Sequence, residues 1–191
     1  MKSTGKINTA VFISGRGSNL KSLIKYSKTK KSLIKIVLVV SDNSNAKGLE
    51  YANKSKINNI FIKYSNRSNF ENRSLKLLKK NNVDLICLAG FMKILSGSFI
   101  RYFYKPILNI HPSLLPKYKG LNTHNRVIKN KEKYSGATVH IVSQKLDSGK
   151  IILQKKVKII KSDSGKSLEK KVLKIEHEIY PKAIIRLLTS Y

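Results

Sequence analysis

Cysteine is nearly absent: Cys87 stands alone, so neither an internal disulfide nor a cysteine cluster for a metal can form. Long hydrophobic runs are missing as well. No apolar stretch approaches the ~20 residues that span a bilayer, and the polar start, Met1 to Asn8, has no apolar signal core behind it. These absences argue for a cytoplasmic protein without a membrane partner. Acidic residues are scarce: 10 Asp and Glu face 39 Lys and Arg, a formal net charge of +29. Such an excess would ordinarily suggest nucleic acid. The lysines, however, are spread through nearly every segment, in "KYSKTKKS", "KLLKKNN", "KNKEKY" and "KKVKIIK", and aromatic residues are not interleaved as a base-stacking platform needs. The spread suits solvated faces, and its field would still attract anionic small molecules.

What is present suits one domain. A chain of 191 residues, 41% hydrophobic, is long enough for a single core and short for two. Short β-branched apolar runs alternate with longer amphipathic stretches, the pattern of βα units around a parallel sheet. The runs Thr9–Gly15, Ile34–Val40, Asn59–Lys63, Asp84–Gly90 and Pro106–Ile110 read as buried strands. Leu20–Lys28, Ala46–Lys56, Asn69–Asn81 and Ile94–Tyr104 read as helices between them. From Gly136 the texture changes: "GATVHIV" and "KIILQKKVKI" look like two strands joined by a turn. A last amphipathic helix runs from Ser164 to about Leu188, with Leu168, Val172, Ile175 and Ile179 at helical spacing, a cap at Asp163 or Ser164, and a bend expected at Pro181. The fold class is therefore α/β, a single Rossmann-like domain with a mostly parallel sheet and a mixed C-terminal strand region.

Several stretches could carry chemistry. In "NIHPSLLPKYKG" the side chains of Asn109 and His111 fall on one face of an extended segment, so an amide donor and an imidazole can converge on a developing oxyanion. Alone, the same stretch reads as a satisfied turn. "SGRGSNL" places Gly17, Ser18 and Asn19 at the start of a helix, where backbone N–H groups and the helix dipole attract phosphate. It has neither the Lys of a P-loop nor the full dinucleotide fingerprint, and a tight structural turn is the competing reading. Asp147, in "SQKLDSGKII", is a turn residue by default and becomes functional only if the fold brings it to His111, whose protonated ring it would stabilise. Glu176 sits beside the apolar stripe of the last helix and reads as a solvated carboxylate. His140 and His177 are assigned to structure. No trio of metal ligands has recognisable spacing, so no catalytic metal is expected.

Taken in order, "ISGRGSNL", "VVSDNSNAKGLEYA", "DLICLAGFMKILS", "LNIHPSLLPKYKGLNTH", "GATVHIVSQKLDSGKIILQ" and "EHEIYP" resemble the folate-dependent formyltransferases, and among them the phosphoribosylglycinamide formyltransferase family of purine biosynthesis. The resemblance implies the formyltransferase fold and 10-formyltetrahydrofolate as co-substrate. It implies transfer of the formyl group to the amine of 5-phosphoribosylglycinamide. By position it puts catalysis on Asn109, His111 and Asp147, with Asp147 raising the His111 pKa. The ribonucleotide falls to Gly17, Ser18, Asn19 and Glu176. The folate falls to Arg67, Met92, Lys93, Ile94 and Leu95, together with Asn109. Arg16 and Asn122 stand where relatives often have Asn and His.

Two rivals share that fold. A 10-formyltetrahydrofolate deformylase would be expected to carry a further N-terminal domain, and a tRNA formyltransferase a C-terminal one, so length disfavours both. A basic RNA-binding module is the non-enzymatic alternative. The expected partners are small molecules, not nucleic acid, with the chain acting as a monomer or homodimer.

Overall fold

The computed structural model describes residues 5–190. Seven strands and six helices follow in the order β1 (Ile7–Ile13), α1 (Ser18–Ser27), β2 (Ile34–Ser41), α2 (Gly48–Lys54), β3 (Asn59–Phe61), α3 (Arg67–Lys80), β4 (Leu85–Leu88), α4 (Gly97–Phe103), β5 (Ile107–His111), α5 (Thr123–Lys129), β6 (Tyr134–Ile141), β7 (Ile151–Lys158) and α6 (Gly165–Thr189). The strand order is β3-β2-β1-β4-β5-β6-β7 in one seven-stranded sheet. β1 pairs in parallel with β2 and β4, β2 in parallel with β3, and β6 antiparallel with β7. The parallel βα region and mixed C-terminal strands are those expected from the sequence.

By contact the chain divides into two compact units, the first ending at Leu108 and the second beginning at Asn109. In the first, β1 and β4 are buried along their whole apolar runs, as strands covered on both faces must be. Phe12 lies at the centre of an aromatic cluster, its ring 6.1 Å from Phe70, 5.5 Å from Phe91 and 6.3 Å from Phe99, all edge-on. Cys87 is buried within β4, as its apolar surroundings predict. In the second unit α6 packs against β6, β7 and α5, burying Leu168, Val172, Ile179, Tyr180, Ile184 and Leu187.

Two local differences from the sequence reading have physical causes. α4 starts at Gly97, not Ile94, because Ser96 is its cap: Ser96 Oγ accepts from Phe99 N at 3.0 Å. The buried Glu71 carboxylate holds that cap in turn, accepting from Ser96 N and Oγ at 2.6 Å each. The segment Met92–Leu95 is thereby left as loop. α5 has no counterpart in the sequence reading, since it buries only Thr123 and Val127 and so offers no apolar stripe.

The N-terminus of α6 is closed by a capping box: Ser164 Oγ accepts from Ser167 N at 3.2 Å and Ser167 Oγ accepts from Ser164 N at 2.9 Å. Ser164→Ala is expected to lower the unfolding free energy by about 1 kcal/mol. A urea titration should show this as a lower midpoint with an unchanged m value.

Candidate active site

The second unit builds a polar cluster from strand ends and turns. Asn109 and His111 leave β5 on the same face, as two-residue spacing in a strand requires. The chain after His111 is tied down by two buried hydroxyl groups. Thr138 Oγ1 donates to Ser113 O (2.6 Å) and accepts from Leu115 N (3.2 Å) and Gln154 Nε2 (2.8 Å). Ser113 Oγ donates to Lys117 O at 2.7 Å. This network turns the segment so that the Tyr118 carbonyl accepts from His111 Nε2 at 2.8 Å and the Gly120 N–H reaches Asp147 Oδ2 at 2.9 Å.

Asp147 approaches from the turn between β6 and β7. Its backbone is left-handed (φ 46°), a conformation that Asp tolerates better than most residues. Two residues on, a Cβ at Gly149 would lie 1.7 Å from the Ile141 carbonyl oxygen, so the turn closes only with glycine there. The result sets Asp147 Oδ2 3.4 Å from His111 Nδ1. Asp147 Oδ1 lies 3.6 Å from His140 Nε2, a contact too long for a hydrogen bond. Asn109 Nδ2 donates to His140 Nε2 at 3.2 Å, while His140 Nδ1 donates to Ile141 O at 2.9 Å.

That pairing makes His140 a positioning residue. A neutral ring with its proton on Nδ1 satisfies both contacts, and its Nε2 lone pair fixes which end of the Asn109 amide is the donor. One N–H of Asn109 goes to His140 and the second remains for a ligand. The sequence assigned His140 to structure. Its sole signal there was an imidazole on the strand preceding Asp147, which says nothing of Asn109.

Burial governs the charges. His111 is 6% exposed, and desolvation holds its pKa below the ordinary 6.5. The Tyr118 hydrogen bond and the Asp147 charge both pull upward, the latter as expected from the sequence, but together they do not outweigh burial. The upward pull expected of Asp147 is present, and burial nonetheless leaves the His111 pKa lowered overall. For Asp147 burial opposes ionisation, yet its pKa is lowered overall, with the Gly120 N–H hydrogen bond favouring the ionised carboxylate. Near neutral pH the cluster rests as a neutral His111 facing an ionised Asp147.

In the first unit, β1 lies between β2 and β4, so the crevice beyond its C-terminal end is the switch point where open α/β sheets take ligands. The loops after β1 and β4 meet there: Ser14 N donates to Gly90 O (3.2 Å) and Met92 N donates to Ser14 Oγ (2.9 Å). Gly17 caps α1 in the left-handed region (φ 72°), and a Cβ there would come within 2.4 Å of Gly48 Cα. Ser18 and Asn19 begin the helix. Beside this crevice Met92 and Ile94 are exposed at 61% and 51%, while Leu95 is buried. Lys93 and the exposed Arg67, first residue of α3, are both linked to Tyr64.

Glu176, read from the sequence as solvated, is 7% exposed. The reason is that α6 is covered by β6, β7 and α5, so its buried face is wider than one apolar stripe. Arg16 is exposed in the loop before α1, and Asn122 caps α5 with a left-handed backbone (φ 56°). Among the described residues no group of three or more His, Cys, Asp and Glu could hold a metal ion, and no helix is long and apolar enough to cross a membrane.

Residues 7–184 match the family model described as formyl transferase. The chain is 39% identical over 181 residues to phosphoribosylglycinamide formyltransferase of Escherichia coli K12, covering 93% of this chain and 85% of that one. It is 41% identical over 184 residues to the trifunctional purine biosynthetic protein adenosine-3 of Gallus gallus, where 95% of this chain matches only 18% of the relative. The crystal structure of phosphoribosylglycinamide formyltransferase from Brucella melitensis superposes with a TM-score of 0.89 at 39% identity, covering 94% of each chain.

The contact between Asp147 and His111 has a direct readout. Removing the carboxylate charge removes an upward pull on the His111 pKa, so Asp147→Asn should move its titration to still lower pH. Proton NMR of the His111 ring against pH checks both the resting value, expected below 6.5, and the sign of the change.

Proposed function

The chain belongs to the formyl transferase family, and we propose that it transfers the formyl group of 10-formyltetrahydrofolate to the amine of 5-phosphoribosylglycinamide, as a cytoplasmic enzyme acting as one catalytic domain. The observation that carries this reading is the approach of Asp147, from a turn 36 residues beyond His111, to His111 and to His140, the hydrogen-bond partner of Asn109.

In the proposed reaction the amine nitrogen bonds to the formyl carbon and the carbonyl electron pair moves onto oxygen. Asn109 donates its second amide N–H to that oxygen. His111 donates Nε2–H, exchanging the Tyr118 carbonyl for a stronger, charged acceptor. As negative charge grows beside it, the proton affinity of the ring rises, and Asp147 opposite Nδ1 adds to the rise. Asp147, ionised at rest, takes the proton that the amine loses, directly or through water. Collapse re-forms the carbonyl, breaks the bond from carbon to N10 of the folate, and returns a proton to N10. Neither a metal nor a covalent enzyme intermediate enters this scheme. Gly17, Ser18 and Asn19 hold the phosphate, with Glu176 also assigned to the ribonucleotide. Arg67 and Met92 to Leu95 are assigned to the folate. Support for these roles comes from the match of each position to the family's motifs, and for the phosphate also from the physics of a helix start.

One assay separates this reading from its rivals. With 10-formyltetrahydrofolate present, release of tetrahydrofolate should depend on the ribonucleotide. Release into water without it would identify a hydrolase. No release, with tight and steeply salt-dependent RNA binding, would identify a nucleic-acid protein.

Loss of one oxyanion donor costs other enzymes roughly 100- to 1,000-fold in turnover. Asn109→Ala and His111→Ala should each lose at least about that much in kcat, measured under saturating co-substrate. Near-normal turnover in either would remove that residue from the mechanism.

A further inference from the structure

Outside the groups assigned to the reaction, the buried Asp42 carboxylate in the first unit has no hydrogen-bonded partner among the described residues. Asp42 directly follows β2, and its side chain is 5% exposed. The chain around it is pinned on both sides. Ser41 Oγ donates to Asn43 O (2.8 Å) and accepts from Asn43 N (3.1 Å). Asn43 in turn donates from Nδ2 to Ser14 O (3.1 Å) and accepts at Oδ1 from Asn45 N (2.9 Å). The carboxylate is therefore a fixed point. Its Oδ1 has no hydrogen-bond partner among the described residues, and its Oδ2 lies 3.9 Å from Lys93 Nζ. That separation is an ion contact without a hydrogen bond.

Lys93 is the movable member. Its side chain is 41% exposed, and the same ammonium lies 5.0 Å from the centre of the Tyr64 ring. A flexible cation has thus been drawn to a fixed anion and the electron-rich face of an aromatic ring. Arg67 is linked to the same Tyr64, so two cations are gathered at one ring beside the exposed Met92 and Ile94.

We infer that Asp42 is a positioning residue that sets selectivity for the charged tail of the folate: it is the resident counter-ion of Lys93 and competes with the tail's glutamyl carboxylates for that ammonium. This rests on the assignment of Lys93 and Arg67 to the folate. When Lys93 swings to a tail carboxylate, Asp42 keeps its burial and loses its cation, which costs free energy and weakens the binding of that carboxylate. The tail must also approach a like charge.

Asp42→Asn keeps the shape and removes the charge. With 10-formyltetrahydrofolate as co-substrate, KM should fall about three- to fivefold while kcat is unchanged, the scale of a partly exposed ion pair. With the 10-formyltetrahydropteroate analogue, which lacks the glutamyl tail, KM should not change. The gain should vanish in a Lys93→Met background and shrink as salt rises from about 50 mM to 500 mM. Asp42→Ser, checked by its thermal melt, serves if the Asn variant does not fold. An equal change of KM for both co-substrates, no change for either, or a gain that persists without Lys93 would each overturn the inference. Failure of the unaltered protein to transfer formyl from either co-substrate would instead overturn the functional reading, and a deformylase that keeps the tail effect would leave the role of Asp42 standing.

Discussion

Asp147 meets His111 across 3.4 Å because two stretches of backbone accept conformations that most residues avoid. The turn that carries Asp147 is left-handed at that residue and closes against Ile141 only through Gly149. The segment that follows His111 is bent by a pair of buried hydroxyl groups, Ser113 and Thr138, until its carbonyl at Tyr118 and its N–H at Gly120 face the two partners. Strain in the turn is offset by hydrogen bonds that exist only when both stretches are in place. The polar cluster is thus a property of the folded backbone as much as of its side chains.

Burial then decides the protonation of that cluster. A water-poor setting strengthens the attraction between Asp147 and a protonated His111, yet the same setting penalises the charged ring more. The outcome is a neutral imidazole whose proton affinity can rise when charge appears nearby, beside a carboxylate that accepts from the Gly120 N–H and stays ionised. A permanently charged ring would have less to gain from a developing oxyanion. His140 contributes in a different way, by fixing the orientation of the Asn109 amide.

In a chain with 39 basic and 10 acidic side chains, acids are the informative minority. Glu71 holds Ser96, the cap of α4, and so leaves Met92 to Leu95 as a loop, Asp147 faces two imidazoles, and Asp42 lies against Lys93. The cations distribute themselves over what remains, including tyrosine faces: Lys21 on Tyr51, Lys105 on Tyr104, Arg126 on Tyr118 and Lys156 on Tyr134. No single basic stripe is needed to accommodate the net charge.

Much of the fold is legible in local pattern. The β-branched runs of β1, β2 and β4 and the apolar spacing of α6 identify their elements because burial on both faces, or along one helical stripe, leaves a period in the sequence. Two-residue spacing likewise puts Asn109 and His111 on one face, and the ordered motifs point to the family. The sequence could not settle what depends on distance between remote residues: that Asp147 reaches His111, that His140 serves Asn109, that Glu176 is buried, and that burial lowers the His111 pKa. Periodicity records which side of its own element a residue occupies. Only tertiary packing decides what lies opposite, and contact with that neighbour determines both the orientation of an amide and the charge on a ring.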